Sequence, residues 1–143
     1  AILTQRPDWL VVNESEAAAV LGRPVSGLRE AARAATDLVK AGAGNAVVTA
    51  GAAGAAYQVA QDPSSRTVPA FAVHARDTVG AGDTFVGALA VSLAAGISPD
   101  EAITAASAAA ATAATRPGTQ AGMPRPADIS AATGHAWPIP VAG

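Results

Sequence analysis

Cysteine is absent from the 143-residue chain, which excludes disulfides, thiolate metal sites and thiol catalysis. Aromatic residues make up only 3% and charged residues 14%, the latter well below the roughly 25% of a typical soluble domain. Lysine occurs once, at Lys40, and the remaining cations are arginines set singly along the chain. With a formal net charge of −2 and no basic run, nothing resembles the electrostatic footprint of a nucleic-acid binder. Apolar runs break at Thr, Ser, Gly or a charge well before the roughly 20 residues a membrane span requires. Ala1 to Asp8 has no apolar core of the kind a secretory leader carries. The chain starts without Met and enters a strand-like run almost at once, the pattern expected of part of a longer polypeptide. What it has in quantity is alanine. Half the residues are hydrophobic, and Val, Leu and Ile supply the heavier packing.

Trp9 to Val12 is a short continuous apolar run, the signature of a buried parallel strand. Asn13, with Glu16 three residues on, predicts a capped helix to about Leu21, stopped by Gly22 and Pro24. A second helix is predicted from Leu28 to Ala41, capped by Ser26 and ended by Gly42. Its apolar stripe is Leu28, Ala31, Ala35, Leu38 and Val39, with an Arg33–Asp37 pair on the wet face. Ala46 to Thr49 predicts another buried strand, Ala50 to Ala55 a Gly/Ala loop, and Ala56–Ala60 with Arg66–Val68 two strands across a polar turn. Asp77 to Gly82 is a tight loop before a helix to Ala95 that turns Phe85, Val86, Leu89 and Leu93 inward. Ser98, Pro99 and Glu101 form a capping box with proline at the first helical position, opening a helix to about Ala114. A short helix is predicted over Ala127 to Ala132, and a loose tail from His135. Strand–helix–helix–strand followed by long helices predicts an α/β sandwich and not a bundle.

The chemistry sits in Asp77-Thr78-Val79-Gly80-Ala81-Gly82-Asp83. Small residues running into a helix let backbone N–H groups converge on an anion, and the helix dipole favours negative charge there. Asp83 stands at that positive end, where a carboxylate can accept a proton from a hydroxyl directed at the anion. Base, hydroxyl and phosphate pocket together describe phosphoryl transfer. The same residues also suit a plain capped turn.

Four segments taken together resemble the ribokinase family of carbohydrate kinases, the PfkB-like fold. Asp77 to Asp83 resembles its D-T-x-G-A-G-D signature, and Asn13-Glu14-Ser15-Glu16 its N-x-x-E motif. Thr49-Ala50-Gly51-Ala52-Ala53-Gly54 is similar to its nucleotide loop, T-x-G-x-x-G. Thr115-Arg116-Pro117-Gly118-Thr119-Gln120 resembles the T-R-x-G-x-Q segment of ribokinases proper. The order matches the family's, and the resemblance runs from Trp9 to about Ile129. It implies a ribokinase-like α/β/α sandwich of which residues 1–143 are the C-terminal nucleotide-binding and catalytic part. The sugar-binding half and the lid belong to the N-terminal part, so turnover is expected of the intact protein.

By the same resemblance, Asp83 is the catalytic base and the one substrate-binding residue, and the N–H groups of Gly80, Ala81 and Gly82 form an anion hole. Asn13, Thr49, Gly51, Gly54 and Ser107 line the nucleotide, while Glu16 acts on Mg²⁺ through water. A capping box accounts for Asn13 and Glu16 equally well. A monovalent cation, usually potassium, is implied at Asp77 and at the carbonyls of Val79, Ala113, Arg116 and Gly118, a cage of hard oxygens. The sequence departs from the family at Ala52 and Ala53, where relatives carry polar or basic residues. It departs again at Ser107, where many carry Asn or His near the adenine, and at Gly122, where ribokinases often have Ser. His74 reads as a strand surface residue.

The implied activity is an ATP-dependent kinase that phosphorylates the primary hydroxyl of a pentose, D-ribose first among them, in the cytoplasm. The intact protein is expected to form a homodimer and to bind neither nucleic acid nor membrane. The alternatives are another kinase of the family, acting on fructose or a nucleoside, and a truncated nucleotide-binding relative without catalysis.

Overall fold

A computed structural model describes residues 8–59, 62, 64–71, 80–115 and 124–138. The chain divides into two compact units, residues 1–69 and 70–143.

The first unit contains β1 (Trp9–Asn13), α1 (Glu14–Leu21), α2 (Gly27–Lys40), β2 (Asn45–Thr49), β3 (Gly54–Val59) and β4 (Arg66–Pro69). They form a four-stranded sheet in the order β1-β2-β3-β4. Two helices separate β1 from β2, so these strands pair in parallel; short turns join β2, β3 and β4, which pair antiparallel. Asn13 caps α1 as its spacing predicts, and Gly22, at φ 70°, closes it with an N–H bond to Ala18. Helix α2 buries Ala31, Ala34, Ala35 and Leu38 completely against Ala46, Val48 and Ala56, in one core that also takes in Val12 and Ala17. Both helices therefore cover one face of the sheet. Leu38 is fully enclosed, a burial worth about 1.5–3 kcal/mol. Strand β2 is buried along Ala46, Val47 and Val48, as its unbroken apolar run requires.

Three local expectations change here. Ser26 makes no side-chain cap; its N–H donates instead to Glu30 Oε1 at 2.8 Å. Asp37 pairs with Arg23 of the α1–α2 connection at 2.6 Å and not with Arg33. Strand β3 begins at Gly54, after a single 3₁₀ turn at Gly51–Ala53. The Ala50 N–H donates to Gly54 O at 2.7 Å, which closes the loop and lets the ladder resume two residues earlier than expected.

At the opposite end of the sheet, the Asp8 carbonyl accepts from both Asn45 N (2.8 Å) and Asn45 Nδ2 (2.9 Å). Gly44 lies so close that a Cβ there would sit 2.8 Å from Asp8 O. In the β3–β4 turn, Asp62 accepts from Ser64 N and from Arg66, which together hold its carboxyl below its ordinary value.

The second unit holds α3 (Ala81–Ala94), α4 (Pro99–Ala114) and α5 (Pro126–Thr133), with α4 packed against both others. Alanine dominates the buried positions of α4, and such small side chains let helix axes approach closely. Ile103 and Ile129 are fully buried among them. Helix α3 starts at Ala81, so Ala81 and Gly82 belong to its first turn and not to a loop. Its buried stripe is Phe85, Ala88, Leu89 and Ser92; Val86, expected inside, is 47% exposed. Ser98 caps α4 by accepting from Glu101 N, and the reciprocal bond of a box is not formed among the described residues. Beyond α5 the chain stays tied down at His135, whose N–H donates to Thr133 Oγ1 and whose ring lies 5.7 Å from that of Phe71. The looseness expected from His135 onward is thus not found at that residue. His74 lies outside the described residues.

Candidate functional site

Within the first unit, parallel pairing sets Asn13 directly beside Thr49 at the carboxyl ends of β1 and β2. That edge is where open α/β sheets bind their ligands. Asn13 Oδ1 accepts from Glu16 N at 2.7 Å, and Glu16 Oε1 accepts from Asn13 N at 2.9 Å, a complete capping box. Both side chains are exposed, and each keeps a polar atom, Nδ2 or Oε2, with no partner among the described residues. The cap and a ligand contact are therefore compatible in the same two residues. Thr49 donates to Val12 O at 3.4 Å, and the chain then turns through Gly51 at φ 55° and Gly54 at φ 119°. Both values lie in the left-handed region that favours glycine. A Cβ at Gly51 would meet nothing within 4 Å, so the space above that loop is open.

Glu14 has a part the motif did not disclose. Its Oε2 accepts from Gly27 N at 2.7 Å, in a half-buried position, and so ties α1 to the first turn of α2. A carboxylate at a helix N-terminus gains from the free amides and the dipole alike. The acidic residue itself is visible in the sequence; its partner, thirteen positions away, is not.

Within the second unit, Gly80, Ala81, Gly82 and Asp83 form the N-terminus of α3. Gly80 sits at φ 87°, and its carbonyl accepts the first helical bond, from Thr84 N at 3.0 Å. The amides that precede Thr84 have no partner inside the helix. A Cβ would meet nothing at Gly82, which leaves free room beside them. Asp83 is the third helical residue, exposed, and its carboxylate has no hydrogen bond or ion pair among the described residues. It is therefore not consumed as a cap. Ser107 is buried in α4. Ala113 lies in the last turn of α4, and the residue four positions on is Pro117, which has no N–H to offer its carbonyl. Asp77, Val79, Arg116 and Gly118 lie outside the described residues. Among the described residues no group of three or more His, Cys, Asp or Glu side chains could hold a metal, and no helix is long and apolar enough to cross a membrane.

A glycine-turned strand-to-strand loop in one unit and, in the other, a helix N-terminus whose carboxylate has no partner among the described residues are features that phosphate-handling α/β proteins use. The chain belongs to the pfkB family of carbohydrate kinases, whose model matches residues 1–126. It is 45% identical to mouse ribokinase over 82 residues, which cover 57% of this chain and 25% of that protein. The structure of ribokinase from Thermotoga maritima matches with a TM-score of 0.74 and 34% identity, over 87% of this chain and 41% of the other. Phosphofructokinase-2 from Escherichia coli, solved in complex with potassium, matches with a TM-score of 0.77 and 27% identity, over 89% of this chain and 40% of the other. The fold is thus part of the ribokinase-like α/β fold. The chain spans about a quarter of the length of mouse ribokinase.

Proposed function

We propose that the intact protein is an ATP-dependent kinase that phosphorylates the primary hydroxyl of a pentose, D-ribose foremost. The observation that carries this is Asp83: an exposed carboxylate at the N-terminus of a 14-residue helix, without a partner among the described residues, beside first-turn amides that have no partner inside the helix. Asp83 accepts the proton as the hydroxyl oxygen attacks the γ-phosphorus and the bond to the β-phosphate oxygen breaks. The amides of Gly80, Ala81 and Gly82 hold the charge that develops on the γ-phosphate oxygens. Asn13, Thr49, Gly51 and Gly54 give the nucleotide a surface on which backbone can approach closely, and Ser107 contributes nearer the base.

Glu16 fits an indirect Mg²⁺ contact, because Oε1 is spent on the cap while Oε2 has no partner among the described residues. Ala113 fits a potassium site, because its carbonyl is a hard oxygen at a helix C-terminus, shares the Thr115 N–H with Thr112 O and has proline at its α-helical donor position. Asp77, Val79, Arg116 and Gly118 complete that cage in our proposal. When bound, the divalent ion offsets phosphate charge and the monovalent ion orders the anion hole. Homodimer assembly and a cytoplasmic location belong to the same proposal.

Asp83→Asn tests it. In the intact protein the variant keeps nucleotide affinity near wild type while kcat falls by about 10²- to 10⁴-fold, the usual worth of a general base. An unchanged kcat returns Asp83 to the role of a helix-end residue, whereas absence of turnover in the wild-type intact protein favours a nucleotide-binding module without catalysis. A second acceptor class, fructose or a nucleoside, stays in view because phosphofructokinase-2 matches the fold as well as a ribokinase does. Comparing kcat/KM for ribose and fructose separates the two.

A further inference from the structure

The first unit carries a charged depression that the kinase reading does not use. It has a volume of about 630 Å³ and is lined by the outward face of α2, by Arg23 and by Ser65. Arg29, Arg33 and Lys40 occupy one side of α2, the first and last eleven positions apart, about 16 Å of helix. In a chain of net charge −2 with only nine cations, four of them gather here around a single carboxylate.

That carboxylate, Asp37, is already taken by Arg23 at 2.6 Å. The other acidic residue of α2 outside the depression, Glu30, accepts from Ser26 N. Arg29, Arg33 and Lys40 are exposed and have no ion pair or hydrogen bond among the described residues. Arg29 and Arg33 stand at i,i+4 on the same side of α2, a spacing at which like charges repel. The lining also limits the ligand. Ala32 is its only apolar residue, and four cationic and two hydroxyl side chains make up most of the rest. A ligand that fits is compact, donor-free and multiply negative, and arginine forks are matched to phosphate oxygens.

We infer that the outward face of α2 binds a polyphosphate group through Arg29, Arg33 and Lys40, at a site that shares no residue with the nucleotide loop. The group is either an inorganic polyphosphate or the phosphate chain of a nucleotide.

Calorimetric titration of the intact protein with sodium tripolyphosphate, at low and at physiological salt, tests this without any turnover. Saturable binding that weakens with salt is expected, and R29Q/R33Q should weaken it by about tenfold or more, as loss of charge-assisted bonds does. Both arginines are exposed, so the variant should fold; a melting curve checks this, and K40Q gives an independent second reading. ATP titrated in parallel identifies the source. A second ATP equivalent that disappears in R29Q/R33Q makes the nucleotide the ligand, and ATP binding untouched by the substitutions makes it the inorganic chain. Equal tripolyphosphate affinity in wild type and R29Q/R33Q overturns the site. So does a hexaglutamate peptide that binds as tightly. Neither result bears on Asp83.

Discussion

Glu16→Gln separates two roles that share one side chain. In the capping box, Glu16 Oε1 accepts from the Asn13 N–H at 2.9 Å while Asn13 Oδ1 accepts from Glu16 N at 2.7 Å. Glutamine keeps an oxygen acceptor at the same reach and is an accepted box residue, so both bonds survive. What disappears is one negative charge in the first turn of α1, worth about 0.3–1 kcal/mol. For a chain of this size that lowers Tm by only about 1–4 °C. Asn13→Ala removes the cap acceptor itself and should cost about 1 kcal/mol. An indirect Mg²⁺ contact behaves differently, because a neutral amide offers far less to a cation's water shell. Changes to such outer partners typically cost about 10- to 100-fold in metal affinity or activity. In the intact protein, then, Glu16→Gln should melt close to wild type yet need about tenfold or more Mg²⁺ for half-maximal ADP release. An unchanged Mg²⁺ requirement would reduce Glu16 to a cap. A loss above about 2 kcal/mol would refute the physical account of the box itself.

Three further outcomes are expected. Gly44→Ala should destabilise by about 1–3 kcal/mol, read from the urea midpoint, because its Cβ would press on the Asp8 carbonyl at 2.8 Å; a shift within 0.5 kcal/mol, about the usual limit for harmless surface changes, would show that the strand ends give way easily. Ser92→Ala should be neutral or stabilising by about 1 kcal/mol, since the Ser92 hydroxyl is buried without a partner among the described residues; a clear loss of stability would mean that the hydroxyl is bonded after all. Potassium should activate the intact enzyme above sodium and lithium at equal ionic strength by roughly 5- to 150-fold, and Asp77→Ala should abolish the difference. Equal rates in the three salts would remove the cation site and leave Asp83 untouched.

Elements whose signals are local were legible in the sequence. Asn13 with Glu16, Ser98 with Pro99, and the apolar runs of β1 and β2 each specify their structure within a few residues. Misreadings arose where a distant partner decides. Arg33 lies at the right spacing for Asp37, but Arg23 reaches that carboxylate from the preceding connection. Val86 is more apolar than Ser92, yet the geometry of α3 puts Ala88 and Ser92 on the face shared with Phe85 and Leu89. Gly82 suggested a loop, although glycine in a first turn forfeits little that a helix needs there. Of the candidate site, the residue types and their order were readable. The pairing of Asn13 with Thr49 needed the sheet, because 35 residues and two helices lie between them.

The two bonds from Asn45 to the Asp8 carbonyl have a bearing on insertions and deletions. They fasten β1 to β2 at one end, and five paired residues later the same two strands present Asn13 and Thr49 at the other. The strands thus act as a ruler of fixed length, roughly 16 Å at 3.3 Å per residue. Removing one residue from β2 between Ala46 and Val48 would invert the faces beyond the gap and carry Thr49 out of step with Asn13. Adding or removing residues around Ala41–Gly42, before the fastening, would leave that alignment as it is. Length variation in this protein is therefore tolerable ahead of Asp8 and Asn45 but not between them and the ligand edge.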